Sequence, residues 1–123
     1  MPGGMDPFAL VDAMRQALER RDADGLAALL HPQVELHLYS QPGVIAGREA
    51  AHAWYRQAFE SRTIFEGEAA PEQGEDGSLI ARGRVRWYDD GVLRDWPGQW
   101  RITFRDDLIA SVTAERDTDR EPG

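Results

Sequence analysis

From Ser78 to Tyr88 the chain alternates without a break: Leu79, Ala81, Gly83, Val85 and Trp87 fall on one side, and Ile80, Arg82, Arg84, Arg86 and Tyr88 on the other. A two-residue period sustained over that length is a strand, not a helix. Its apolar face must be covered by other elements. Thr63 to Ala70 lies before it across the turn-rich PEQGEDG segment, and Val92 to Arg105 and Leu108 to Asp117 follow, flanking Asp89-Asp90-Gly91 and Asp106-Asp107. Turn formers between alternating segments predict a meander of four antiparallel strands.

The preceding residues supply the cover. Asp6-Pro7 reads as an N-cap followed by Pro at the first helical position, and Phe8, Val11, Met14, Ala17 and Leu18 then recur at helical spacing. Asp22 caps a shorter second helix through Leu26, Leu29 and Leu30, which His31-Pro32 ends, because the residue before Pro avoids helical geometry. Val34, Leu36 and Leu38 alternate with Glu35, His37 and Tyr39 as a half-buried strand, and Gln41-Pro42-Gly43 turns the chain. After Gly47, the positions Ala51, Trp54, Tyr55, Ala58 and Phe59 give a third helix an aromatic face. The expected fold is α+β: three N-terminal helices packed on a curved antiparallel sheet that forms a cone, within one domain over residues 6–117, with 1–5 as a flexible leader and 118–123 as a polar tail.

Composition narrows the chemistry. All 14 basic residues are Arg, so lysine Schiff bases and lysine general bases are unavailable, and the absence of Cys removes thiolate nucleophiles and Cys-ligated metals. A net charge of −8 opposes nucleic-acid binding, which depends on cationic neutralisation of phosphates. No apolar run approaches the ~20 residues of a membrane helix, and a cytoplasmic location is expected. Neither the G-x-S-x-G elbow nor the G-x-G-x-x-G dinucleotide fingerprint is present. Glu35 and His37 supply only two potential ligands, so no metal and no cofactor is expected.

The small residues Ala81 and Gly83 leave a gap beneath the helices, where either a ligand or a closely approaching helix fits. Trp100, Ile102 and Phe104 mark the inward face of the next strand, and Trp96-Pro97-Gly98 reads as a bulge that bends it. The outward face then carries Arg82, Arg84, Arg86, Arg101 and Arg105, with Glu66 and Glu68 across the neighbouring strand.

The order of helix, short helix ending in Leu29-Leu30-His31-Pro32, strand, Gly47-Arg48-Glu49 helix with Trp54-Tyr55, and meander closing on Asp107-Leu108-Ile109-Ala110-Ser111 resembles the nuclear transport factor 2-like superfamily, in its SnoaL-like and ketosteroid isomerase-like branches. That resemblance implies a pocket protein. In the isomerase pattern the helix-1 tyrosine falls at Met14, the general-base aspartate at Leu38 and the oxyanion-side aspartate near Trp100; Tyr55 alone matches, so isomerase chemistry of that type is not expected. The cyclase carboxylate of the last strand falls at Ala114, or at Glu115 after a shift of one residue.

A small hydrophobic ligand is therefore expected, walled by Met14, Leu38, Tyr55, Phe59, Trp87, Trp100 and Val112. It is bound, or isomerised, cyclised or hydrated, without a cofactor. The candidate catalytic residues are Tyr55 as hydrogen-bond donor, Glu115 as base, and His37, whose strand parity turns it outward unless a bulge intervenes. His31 is expected at a helix C-terminus and His52 on the third helix. The alternative is a noncatalytic domain that forms a homodimer on its outer sheet face through Tyr88, Trp96 and the Arg stripe.

Overall fold

In a computed structural model, which describes residues 6–38, 42–68, 70–74 and 76–116, Asp6 does cap the first helix. Its carboxylate accepts from the Ala9 N–H at 2.9 Å, and α1 runs Pro7–Arg20. Asp22 caps α2 (Ala23–Ala27) in the same way through Gly25 N–H. The third helix, α3, spans Arg48–Glu60. The strands are β1 (Leu30–Leu38), β2 (Val44–Ala46), β3 (Ile64–Gly67), β4 (Glu72–Gln73), β5 (Leu79–Asp89), β6 (Val92–Arg105) and β7 (Leu108–Arg116). The expected leader, Tyr39, Gln41 and the polar tail lie outside the described residues.

The fold is α+β on a curved sheet, and several expectations are corrected. The sheet is mixed: its order is β2-β1-β7-β6-β5-β3, with β4 also on β5, and β1 runs parallel to β7. The second helix ends at Ala27, earlier than expected, because Leu30 already pairs with Ile109, and Ile109 N–H donates to the Leu29 carbonyl at 2.9 Å. His31 is consequently a buried strand residue. Its Nδ1 accepts from Gln33 N–H at 3.0 Å and its Nε2 lies 3.2 Å from Asp106. Pro32 has no N–H to give the ladder, and the β1–β7 register shifts between Leu30 and Glu35.

The third correction concerns β6. Its register with β5 runs unbroken from Val92 to Ile102, so Trp96-Pro97-Gly98 is not a bulge; the shift falls between Thr103 and Phe104, against β7. Pro97 is tolerated one residue outside the span that β7 pairs among the described residues.

Strand parity is as expected on the long strands, and the paired residues form rows across the inner face. One row is Leu36, Val112, Ile102 and Leu79, all at most 2% exposed. The next is Leu38, Ala114, Trp100 and Ala81, and the third is Arg116, Gly98, Gly83 and Gly67. Leu10, Val11, Met14 and Ala17 of α1, with Ala51 and Tyr55 of α3, cover the first row and complete the core. Phe8, expected on the core face of α1, is exposed. Among the described residues no helix is long and apolar enough to cross a membrane.

Candidate functional site

The gap expected over Ala81 is present as a cavity of about 430 Å³ between α1 and the sheet. Its apolar wall comprises Val11, Met14 and Leu18 from α1, Phe65 from β3, Ala81 from β5, and Trp100 and Ile102 from β6. This size is within the range of small-molecule sites. The cavity opens where Asp12, Arg15, Glu19, Glu68 and Ala70 are exposed.

The spacing of Asp12, Arg15 and Glu19 puts them on one side of α1, at i, i+3 and i+4 separations. Arg15 bonds both carboxylates at 2.8 Å, and Gln16 donates to Asp12 at 2.8 Å. The hydrogen bond from Arg15, then that from Gln16, holds the Asp12 carboxyl below its ordinary value; the same Asp12 bond raises Arg15. A carboxylate so satisfied is a weak base. Glu19 reaches further and accepts from the Gly67 N–H of β3 at 3.1 Å. The aliphatic stem of Arg15 lies over Gly67, where a Cβ would come within 2.7 Å of Arg15 Cδ.

Of the expected wall residues, the structure brings Met14 and Trp100 to this cavity. Val112 is fully buried in the core row, Leu38 and Phe59 are half-buried against the core, and Trp87 packs against Trp96 with ring centroids 5.8 Å apart and planes tilted by 45°. Tyr55 stands behind the wall. It packs against Trp54, Phe59 and Phe65, and burial drives its phenol pKa upward.

The two other candidate catalytic residues lie on the opposite sheet face. Ala114 pairs with Trp100, which fixes the register: Ala114 points inward, and Glu115, opposite Gln99, points outward and is exposed. His37 pairs with Thr113 on that same outer face, and its Nε2 lies 3.2 Å from Glu35. No bulge redirects it. His52 instead joins α3 to α2 through Asp24 at 2.8 Å.

The arginine stripe is outward and paired with carboxylates. Arg82 binds Glu72 at 2.9 Å, Arg84 binds Asp95 at 2.8 Å, and Arg86 binds Glu66 and, at 3.4 Å, Asp95. Trp96 is not part of that face. It pairs with Val85 and faces inward, with the Arg116 guanidinium over its ring. Among the described residues, no three His, Asp or Glu side chains gather as a metal site.

The residues that reasoning from sequence missed are Arg15, Glu19 and the two glycines beneath side chains, Gly67 and Gly98. The spacing D12-x-x-R15-x-x-x-E19 was a visible signal for the first pair.

A SnoaL-like domain model matches residues 11–112. The chain belongs to the SnoaL-like domain family. Similar solved structures of this fold include a putative polyketide cyclase from Pseudomonas putida, with a TM-score of 0.78 at 20% identity over 94% of this chain and 95% of that one. An uncharacterised cystatin-fold protein from Novosphingobium aromaticivorans has a TM-score of 0.78 at 19% identity, covering 92% and 100%. SalBIII, an epoxide hydrolase/cyclase-like enzyme with a role in pyran ring formation in salinomycin, has a TM-score of 0.76 at 13% identity, covering 90% of each chain. No curated protein matches this SnoaL-like chain in sequence.

Proposed function

We propose that this SnoaL-like domain binds a small, uncharged hydrophobic molecule in the cavity beneath α1. The observation that carries the reading is the cavity's apolar wall, Val11, Met14, Leu18, Phe65, Trp100 and Ile102, bordered by two arginines, Arg15 and Arg82, that are already paired with carboxylates. Arg15 holds two carboxylates and so has little to offer a ligand anion. The depressed basicity of Asp12 favours binding over proton abstraction.

A cyclisation or hydration, of the kind named for SalBIII and the putative cyclases, would fall to the charged residues that line the cavity, Asp12, Arg15 and Glu19 of α1 with Glu66, Glu68 and Arg82 across from them, since Tyr55, Glu115 and His37 do not line it. It would need no cofactor. The test is titration with the neutral dye N-phenyl-1-naphthylamine. Met14→Trp and Ala81→Leu, which fill the cavity from opposite sides, each weaken binding at least tenfold while circular dichroism stays native. Undiminished binding by both folded variants refutes the reading.

A homodimer through the outer sheet face is a second proposal, favoured by exposed Ile64, Tyr88 and Leu93 beside the paired arginines. Leu93→Glu shifts such a dimer to monomer in sedimentation equilibrium. An unchanged mass excludes this face.

A further inference from the structure

Trp100 occupies an unusual seat. Its row neighbours on both sides, Ala114 and Ala81, are small, so no bulky side chain stands beside it on the strands that flank β6. In the adjacent row Gly98, Gly83 and Gly67 follow one another across three strands, leaving a trench without side chains of its own. The indole lies down into that trench. A Cβ built on Gly98 would meet Trp100 Cη2 at 2.6 Å and two further ring atoms at 3.1 Å. Gly98 is buried and does not have the positive φ that favours glycine, so the backbone there accepts any L residue. Space for the ring is what glycine provides.

The six-membered ring of the indole therefore rests on the strand at Gly98, and Trp100 lines the cavity together with Met14 and Leu18 of α1. A flat, polarisable ring and a thioether thus share one lining, and both favour contact with a π-system. Were residue 98 to carry a side chain, the ring, as the free end of its side chain, would yield first and rise into the cavity.

We infer that Trp100, laid flat on Gly98, determines the selectivity of the cavity, and that its ligand is a flat, unsaturated ring system, an aromatic or polyene-derived ring rather than a saturated one. This rests on the cavity being the binding site. Gly98 is a positioning residue that acts through Trp100.

The experiment uses two probes with the same carbon skeleton, 2-naphthalenemethanol and its saturated decahydro analogue, titrated calorimetrically into the whole chain and into Trp100→Leu, Gly98→Ala, the double variant and Met14→Trp. The wild-type chain prefers the planar probe by roughly three- to tenfold, as expected for an aromatic contact beyond its buried area. In Trp100→Leu that ratio falls to about one. Gly98→Ala weakens the planar probe in the wild-type background and leaves it nearly unchanged when Trp100 is already Leu, since no ring remains to be displaced. A wild-type ratio near one, or an equal Gly98→Ala effect in both backgrounds, overturns the inference while Met14→Trp still blocks both probes. Probes that bind Met14→Trp as well as wild type overturn the cavity itself, and failure of both probes to bind overturns both. The Trp100→Leu ratio decides the matter alone if Gly98→Ala does not fold.

Discussion

Glu19, near the end of α1, accepts a hydrogen bond from the backbone N–H of Gly67 at the end of β3, while its other carboxylate oxygen binds Arg15. The bond joins the helix to an edge strand across the cavity rim, so it sets how far the two walls can part. Glu19→Ala removes both contacts and lowers stability by about 1 kcal/mol or less, the scale of one solvent-accessible hydrogen bond. Glu19→Gln, which can still accept from Gly67, loses less. Urea denaturation of the three proteins checks the order.

His37 and Ile102 sit in adjacent rows of the sheet but on opposite faces. His37→Ala changes stability by no more than about 0.5 kcal/mol and leaves dye binding intact, because its partner Glu35 is exposed too. Ile102→Ala costs about 2–5 kcal/mol, since that side chain is 1% exposed in the core. A large loss of binding in His37→Ala, measured by the same dye titration, would return the imidazole to the list of site residues.

Tyr55 gives the alkaline limit. Burial raises its pKa in the folded chain above that of the unfolded chain, near 10. A raised folded value means stability is fully present below pH ~10 and declines above it, as the unfolded state alone ionises. The chain has no Lys to titrate in that window. Thermal melts from pH 8 to 11.5 show a falling midpoint for the wild type and a shallower fall for Tyr55→Phe.

On the outer face, the hydrogen bond from Arg84, followed by desolvation in the opposite sense and the further attraction of Arg84 and Arg86, leaves the Asp95 carboxyl below its ordinary pKa. A depressed folded value contributes stability above the unfolded pKa near 3.9 and loses it as pH falls through the folded value. The group is solvent-exposed, so the effect is small and screened by salt. Asp95→Asn flattens the acid limb of the stability curve below pH ~4, in low salt more than in high salt, as chemical denaturation at the two ionic strengths will show.

The α+β class, the caps of α1 and α2, and the inward faces of β5 and β6 were legible because each depends on neighbours in sequence. Asp6 and Asp22 cap donors three residues on, and alternation alone turns Ala81 and Trp100 to the same side. The parallel partner of β1 was not legible. Leu36 meets Val112 across most of the chain, and nothing in either strand's own pattern names the other. The site suffered from the same limit. Whether Ala114 or Glu115 faces the helices depends on a register set by Trp100 on the neighbouring strand, and a slip of one residue exchanges the two faces. Tyr55 was read correctly as inward, but its depth behind Phe65 follows from the packing of α3 on β3.

The insertion of β7 between β1 and β6 also dictates the order of assembly. During synthesis, Val34 and Leu36 leave the ribosome long before Val112, the residue that will lie beside Leu36. Until residues 108–116 emerge, β2 is the only one of the described strands that can pair with β1, which therefore cannot join the β5–β6 hairpin, so the sheet exists as two unconnected pieces. The closing event spans a large stretch of chain, which makes it slow compared with helix formation and leaves a β1 edge open meanwhile. Nascent chains stalled before residue 108 should thus remain protease-sensitive around β1, and acquire protection in one step once β7 is free to dock.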